Sequence, residues 1–353
     1  MNKNRLLKMF EQTGAEVLIS EAPQTRLWYA NVQTTDGFIA IEKDKATLFV
    51  DGRYIEYAQK HAKNVEIVLI AGTNMQDWFK ARNFKKIALE KDYLIKNVQE
   101  RIISLIQPEE LIWVSGQELR IVKSQEELHL MQKVIDISLS ALNEFKTWVK
   151  PGISEKEAAA MLNFLLKKHG ADKEGFDEII ASASNAAEPH HHPTDKLIED
   201  NSLLKVDFGA KYQGYTADIT RTFVVGDESK VNPEALKILQ IVEEAAALGR
   251  KAVRPGIKVS EIDKICRDYI SSKGYGQYFT HSTGHGLGID VHELPNVSSR
   301  SNTILEPGMI ITVEPGIYIE GLAGARIEDD VLVTESGHYV FSRPLAEDNK
   351  RNF

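Results

Sequence analysis

Cysteine is almost missing from this sequence. Cys266 is the only one in 353 residues, so no disulfide can form within the chain. It sits on the apolar face of a helical stretch with Ile262, Ile265, Tyr269 and Ile270, which reads as a buried, inert thiol. Long apolar runs are missing too: nothing approaches the roughly 20 residues of a membrane span. The opening MNKNRLLKMFEQTGAE is charged throughout and lacks the apolar run of a signal peptide. The sequence therefore reads as cytoplasmic, with no membrane partner. Positive charge is short as well. Lys and Arg total 43 against 51 Asp and Glu, a net charge of −8, and no basic stripe stands out, so a nucleic-acid partner is not expected. There is no GxSxG elbow, and with Cys266 helical and apolar a Ser or Cys nucleophile is disfavoured. HExxH and cysteine clusters are absent, which excludes a zincin or a zinc finger.

What is present suits a globular protein of two domains: 42% apolar and 27% charged residues over this length. Residues 1–120 alternate short helices and strands. AEVLIS, a hairpin of GFIAI and TLFV around a KDK turn, VEIVLI, KIALE and LIWV give an α/β domain with a mixed sheet. A long helix opens at Ser124, where Ser124 and Glu127 have capping-box spacing. Leu128, Met131, Ile135, Leu142, Phe145 and Val149 share one face of it. The boundary falls near residue 121, giving a second domain at 121–353.

That second domain contains an internal repeat. VKPGISEKEAAAMLNFLLKKHG (149–170) resembles VRPGIKVSEIDKICRDYISSKG (253–274), with an offset of 104 from Pro151 to Pro255. Each reads as a Pro-Gly break and then a Ser-capped helix ending in Gly. Downstream, EDNSLLKVDFGAKY (199–212) aligns without a gap on EPGMIITVEPGIYI (306–319), which sets Asp207 on Glu314 at an offset of 107. Two similar α+β halves, each placing an acid late in an apolar strand, predict a pseudo-twofold domain with a site between the halves.

The acids that interrupt apolar strands are the candidate site. VDFGAKYQGYTADITRTF (206–223) reads as two strands joined by a turn at Gln213-Gly214, with Asp207 and Asp218 converging across the hairpin. A carboxylate in such a strand needs a partner or a metal; an ion pair with Arg221 or a turn-capping role is the plainer alternative. Glu314 follows Ile310, Ile311 and Val313, and Glu328 opens another strand beside Ile327; Asp329 and Asp330 read as solvated or turn residues. HSTGHGLGIDVHE (281–293) adds His281, His285 and His292 in a Gly-rich stretch. PHHHPTD (189–195) adds His190, His191 and His192, which also reads as a surface cluster. Four carboxylates with one or two imidazoles suit two divalent ions such as Mn²⁺ or Co²⁺, with Zn²⁺ also compatible. Metal-assisted hydrolysis is the reaction class that follows.

These motifs, VDFGA…GYTADITRTF, HSTGHGLGIDVHE, TVEPGIY and ARIED, resemble in order and spacing those of the Xaa-Pro peptidases, aminopeptidase P and prolidase, of the pita-bread fold. DGFIAIEKDKATLFVDGRYIEYAQ is similar to their creatinase/prolidase N-terminal domain. The resemblance implies that Asp207 binds one metal, that Asp218 and Glu328 bridge two, and that His285 and Glu314 bind the second. A bridging hydroxide would then attack the carbonyl of an N-terminal Xaa-Pro bond in a short peptide, with Glu314 as proton shuttle. It implies that His190 and His292 contact substrate and stabilise the tetrahedral intermediate, that His281 lines the site, and that Arg326 orients Glu328 or a substrate carboxylate. It also implies a homodimer. Ser184 stands where the family often has Gly, and WYANVQTTDG lacks a Gly-rich form common in the family. A methionine-aminopeptidase-like enzyme, a metal-free hydrolase and an inactive binding module are the competing readings. The N-terminal domain counts against the first and the full ligand set against the other two.

Overall fold

The computed structural model describes residues 2–343. The chain divides into two compact units, Met1–Arg120 and Ile121–Phe353.

The first unit has strands β1 (Val17–Ser20), β2 (Phe38–Glu42), β3 (Ala46–Val50), β4 (Glu66–Leu69), β5 (Lys86–Glu90) and β6 (Glu110–Val114). Its helices are α1 (Asn4–Thr13), α2 (Pro23–Ala30), α3 (Ile55–His61), α4 (Asn74–Arg82), α5 (Lys96–Ile106) and α6 (Gly116–Arg120). The sheet order is β4-β3-β2-β1-β5-β6. β2 pairs antiparallel with β1 and β3, while β3–β4, β1–β5 and β5–β6 are parallel. The mixed sheet and the β2–β3 hairpin are those the sequence predicts. Val17, Leu18 and Ile19 are all buried although neighbours on a strand face opposite ways, so both sheet faces are covered. That is why these strands read as continuous apolar runs.

The second unit opens with α7 (Gln125–Trp148), whose Ser124–Glu127 capping box is formed in both directions. Then follow α8 (Glu155–Lys168), β7 (Lys173–Glu174), β8 (Ile179–Ser182), β9 (Ser202–Phe208), β10 (Ala210–Tyr212), β11 (Tyr215–Thr216) and β12 (Ile219–Val225). The second half repeats the plan with α9 (Pro233–Ala252), α10 (Val259–Ser272), β13 (Gly284–Gly286), β14 (Glu293–Val297), β15 (Ile310–Val313), β16 (Gly316–Ile319), β17 (Ala323–Arg326), β18 (Asp329–Val333) and β19 (His338–Val340). No helix among the described residues is long and apolar enough to cross a membrane.

The repeat is visible bond by bond. α8 and α10 are both 14 residues long. Before each, the chain closes the same backbone circuit. Gly152 donates to Ile198 O at 3.0 Å and Gly256 to Leu305 O at 2.9 Å; Glu155 donates to Lys196 O and Val259 to Thr303 O, both at 3.0 Å. Both turn glycines are left-handed, at φ 88° and 82°. The capping differs. Ser154 caps α8, but Lys258 takes that place on α10 and Ser260 falls inside the first turn. Glu261 Oε1 accepts the Lys258 N–H instead, at 3.4 Å.

The hairpin at 206–223 also departs from expectation. The Gln213-Gly214 turn is present, both residues having positive φ, but the strands break. β9 pairs with β12, while β10 and β11 belong to another small sheet with β7. At the break Gly209 permits a close backbone approach: a Cβ there would lie 1.7 Å from Ala217 O. Asp207 therefore sits opposite Thr220, and Asp218 lies in the link between β11 and β12. The halves are joined where Glu328 N–H donates to Thr220 O at 3.1 Å.

Candidate active site

A cavity of ≈ 420 Å³ lies at this junction, and every side chain singled out above for metal, catalytic or substrate roles lines it: Asp207, Asp218, His285, Glu314 and Glu328, with His190, His281, His292 and Arg326. The strand ends explain the convergence. Asp207 is next to last in β9, Glu314 directly follows β15, and Glu328 directly precedes β18. An apolar strand carries Asp207 and Glu314 to the seam and ends there, and another strand leaves the seam directly after Glu328.

Asp218, His285 and Glu328 each offer a ligand atom, and these atoms lie within 4.8 Å of one another. His285 Nε2 is 3.5 Å from Asp218 Oδ2 and 3.3 Å from Glu314 Oε1. Its Nδ1 lies 3.0 Å from Gly286 O. A carbonyl can only accept, so Nδ1 carries a proton and Nε2 is turned to the carboxylates. Glu328 Oε2 accepts from Thr220 Oγ1 at 2.6 Å, and Glu314 Oε1 from Thr312 Oγ1 at 3.2 Å. Arg326 donates to Asp207 Oδ2, yet Asp207 Oδ1 is buried with no hydrogen-bond partner.

Electrostatics make the cluster costly without a cation. Burial, and then the charges of Glu328, Asp207 and Glu314, push the Asp218 carboxyl well above its ordinary range. Burial and the charges of Glu314 and Asp207 do the same to Glu328. Burial also acts to raise Glu314, but its hydrogen bond and charge contact with His285 outweigh this and bring it down. An orphaned carboxylate oxygen, mutually repelling acids and an imidazole nitrogen facing them fit a pair of divalent ions.

The remaining histidines differ. His292 is exposed, its ring 4.4 Å from that of His285 at 78°. His190 is exposed at the cavity wall. His281 has both nitrogens engaged, Nδ1 with Ser282 O at 2.7 Å and Nε2 with Tyr318 Oη at 2.8 Å, so it offers the cavity a ring face. Arg326 donates to Asp207, Thr220 Oγ1, Pro189 O and Tyr318 Oη. It braces the first acid, whereas the Glu328 side chain is held by Thr220. Tyr318, in the TVEPGIY motif, is the residue the sequence reading passed over. His191 is not a surface histidine; it is buried between Glu155 and Glu188.

Asp329 and Asp330 overturn their reading as solvated residues, since both are fully buried. Asp329 accepts from Arg221 Nη2 at 2.8 Å, Arg250 Nη1 at 2.7 Å, Arg343 Nε at 3.0 Å and Ser342 Oγ at 2.8 Å. Arg221 is thereby committed away from Asp207 and Asp218, against the plainer alternative of an ion pair with them. Asp330 Oδ2 accepts the Asp218 N–H at 3.3 Å. Asp329→Asn is expected to destabilise the second unit by about 3–5 kcal/mol, because it strands buried guanidinium charge. A denaturant series that resolves this unit, shifted by less than about 1 kcal/mol, would contradict that reading. Cys266 is buried as expected, its thiol pushed up to about 12 by burial and the nearby Asp263 charge.

Comparison with known proteins gives the family. The model of metallopeptidase family M24 matches residues 129–335, and that of the creatinase/prolidase N-terminal domain matches residues 3–122. The chain is 35% identical over 351 residues to an Xaa-Pro dipeptidase of Pyrococcus furiosus, covering 94% of this chain and 95% of the relative. Among solved structures, an Xaa-Pro dipeptidase from Bacillus anthracis is 38% identical, with a TM-score of 0.90 and 97% of both chains covered. An X-Pro aminopeptidase from Thermotoga maritima is 31% identical, with a TM-score of 0.88 and 96% and 98% covered.

Proposed function

We propose, from the premise that this chain belongs to metallopeptidase family M24, that it is a metal-dependent peptidase cleaving the bond before proline at the N-terminus of short peptides. The observation that carries this reading is the single cavity in which the acids and histidines of both halves meet. In it Asp207, Asp218, Glu328, His285 and Glu314 would hold the two divalent ions, with Asp218 and Glu328 the residues that would serve both. Mn²⁺ or Co²⁺ suits this carboxylate-rich set, and Zn²⁺ is compatible. Bound there, the ions supply an activated water and polarise the scissile carbonyl.

The side chains divide the remaining work. Glu314, beside His285, takes and returns the proton. His190 and His292, exposed at the cavity, contact the substrate and donate to the developing oxyanion. Arg326 holds Asp207 in place. His281 presents its ring face because Ser282 and Tyr318 occupy its nitrogens.

Proline lacks an amide hydrogen and has a fixed φ, so shape must select it. Imidazole faces beside the acids give a cyclic residue a packing surface. Hydrolysis of Ala-Pro-Ala is therefore expected to exceed that of Ala-Ala-Ala by on the order of 10²-fold in kcat/KM. Comparable values would defeat the proline reading and leave the metal hydrolase intact. Running Ala-Pro beside Ala-Pro-Ala, in Mn²⁺, Co²⁺ and Zn²⁺, separates dipeptidase from aminopeptidase and identifies the working metal. A methionine-aminopeptidase-like activity is the weaker alternative, because the chain carries the creatinase/prolidase N-terminal domain. The single buried cysteine supports a reducing, cytoplasmic setting. Family resemblance supports a homodimer, which sedimentation would test.

A further inference from the structure

His190 stands on the segment between η1 (Ala183–Ala187) and β9, and two buried charged residues grip that segment on either side of it. On the near side is Lys205 of β9, which is fully buried. Its ammonium donates to three backbone carbonyls just before His190: Ala186 O at 3.0 Å, Glu188 O, and Pro189 O at 3.3 Å. The second is Glu155, the first residue of α8 and also fully buried, which reaches the chain after His190 as well as residues before it. Its carboxylate accepts from Ser182 N–H at 2.9 Å, Asn185 Nδ2 at 3.0 Å, Thr194 N–H at 3.0 Å and Thr194 Oγ1 at 2.7 Å. His191 Nε2 lies 2.9 Å from the same carboxylate. Atoms before and after His190 are thus tied to rigid elements.

The internal repeat supplies a control. At the offsets of 104 and 107 residues, the counterparts of Glu155 and Lys205 are Val259 and Thr312. Val259 is fully buried and makes the same backbone bond as Glu155, so the architecture is built there without a charge. Burying a carboxylate and an ammonium is costly, and at these two aligned positions the cost is met only in the half that carries the His190 loop. We infer that Lys205 and Glu155 are positioning residues that fix His190 at the reaction centre by clamping its loop from both sides. This rests on the substrate-contact role proposed above for His190.

The test is a double-mutant cycle on the metal-loaded enzyme with an Xaa-Pro peptide. Lys205→Met is expected to keep its metal content and lower kcat by on the order of 10²-fold, the penalty for an ångström-scale misplacement. In a His190→Ala background the same substitution should change kcat by less than about twofold, the usual error of additivity. Thr194→Val removes one donor to Glu155 from an exposed position. It should lower kcat less, in the same direction, and likewise lose its effect without His190. This second cycle decides the matter if Lys205→Met does not fold. Parental kcat in both variants, an undiminished loss in the His190→Ala background, or loss of metal would each overturn the clamp. A silent His190→Ala single variant would defeat the role given to His190 itself, and the clamp with it.

Discussion

Asp218→Ala is expected to abolish turnover and to leave the protein without tightly held metal. Asp218 is 5% exposed, and its oxygen lies in the one cluster among the described residues where carboxylates and an imidazole come within ligand range of a common point. If it is shared between two ions, its removal takes a ligand from each. Losing several kcal/mol of transition-state stabilisation corresponds to about 10³-fold or more in rate. Metal analysis and turnover on one preparation check this, and near-normal activity with two ions bound would sink the ligand assignment. The metal-free proteins give a second readout. In the metal-free parent, burial and the neighbouring carboxylates oppose charge on Asp218. Removing that carboxyl relieves repulsion, so metal-free Asp218→Ala should melt no lower than the metal-free parent. A residue needed only for folding would behave in the opposite way.

His292→Ala is expected to lower kcat by on the order of 10²–10³, the usual effect of deleting a donor to a developing oxyanion, with metal content unchanged. Its imidazole is exposed at the cavity and stacked edge-on against His285. His285 is the more enclosed of the two and is the one aimed at Asp218 and Glu314. Loss of a metal in the His292 variant, measured alongside kcat, would mean that the two histidines exchange roles.

The features legible in the sequence are those written locally. The apolar runs that precede Asp207 and Glu314, and the strand start beside Glu328, can be read because strand register and an acid's cost in a strand depend on adjacent residues. The repeat could be read because Pro-Gly turns and helix lengths recur at fixed offsets. Asp329 is illegible in the sequence for the opposite reason. Its partners, Arg221, Arg250 and Arg343, come from β12, α9 and the segment after β19, and nothing near it in the chain announces them. His190 and His191 are adjacent, chemically identical and both at the cavity wall, yet one is exposed and the other is buried against Glu155. An irregular loop has no period from which to tell them apart. The need for glycine at 209 is hidden because it comes from the approach of Ala217, in the link between β11 and β12.

The seam between the repeated halves has a mechanical consequence. Of the proposed donors, Asp207 and Asp218 belong to the first half, and His285, Glu314 and Glu328 to the second, so on that assignment neither half owns a complete set. Ion affinity is then a gauge of how tightly the seam is closed. A substitution in the packing of α9 or α10, remote from every donor, would register as weaker ion binding before it registered as unfolding, because a small opening at the seam separates donors that only the closed domain brings together.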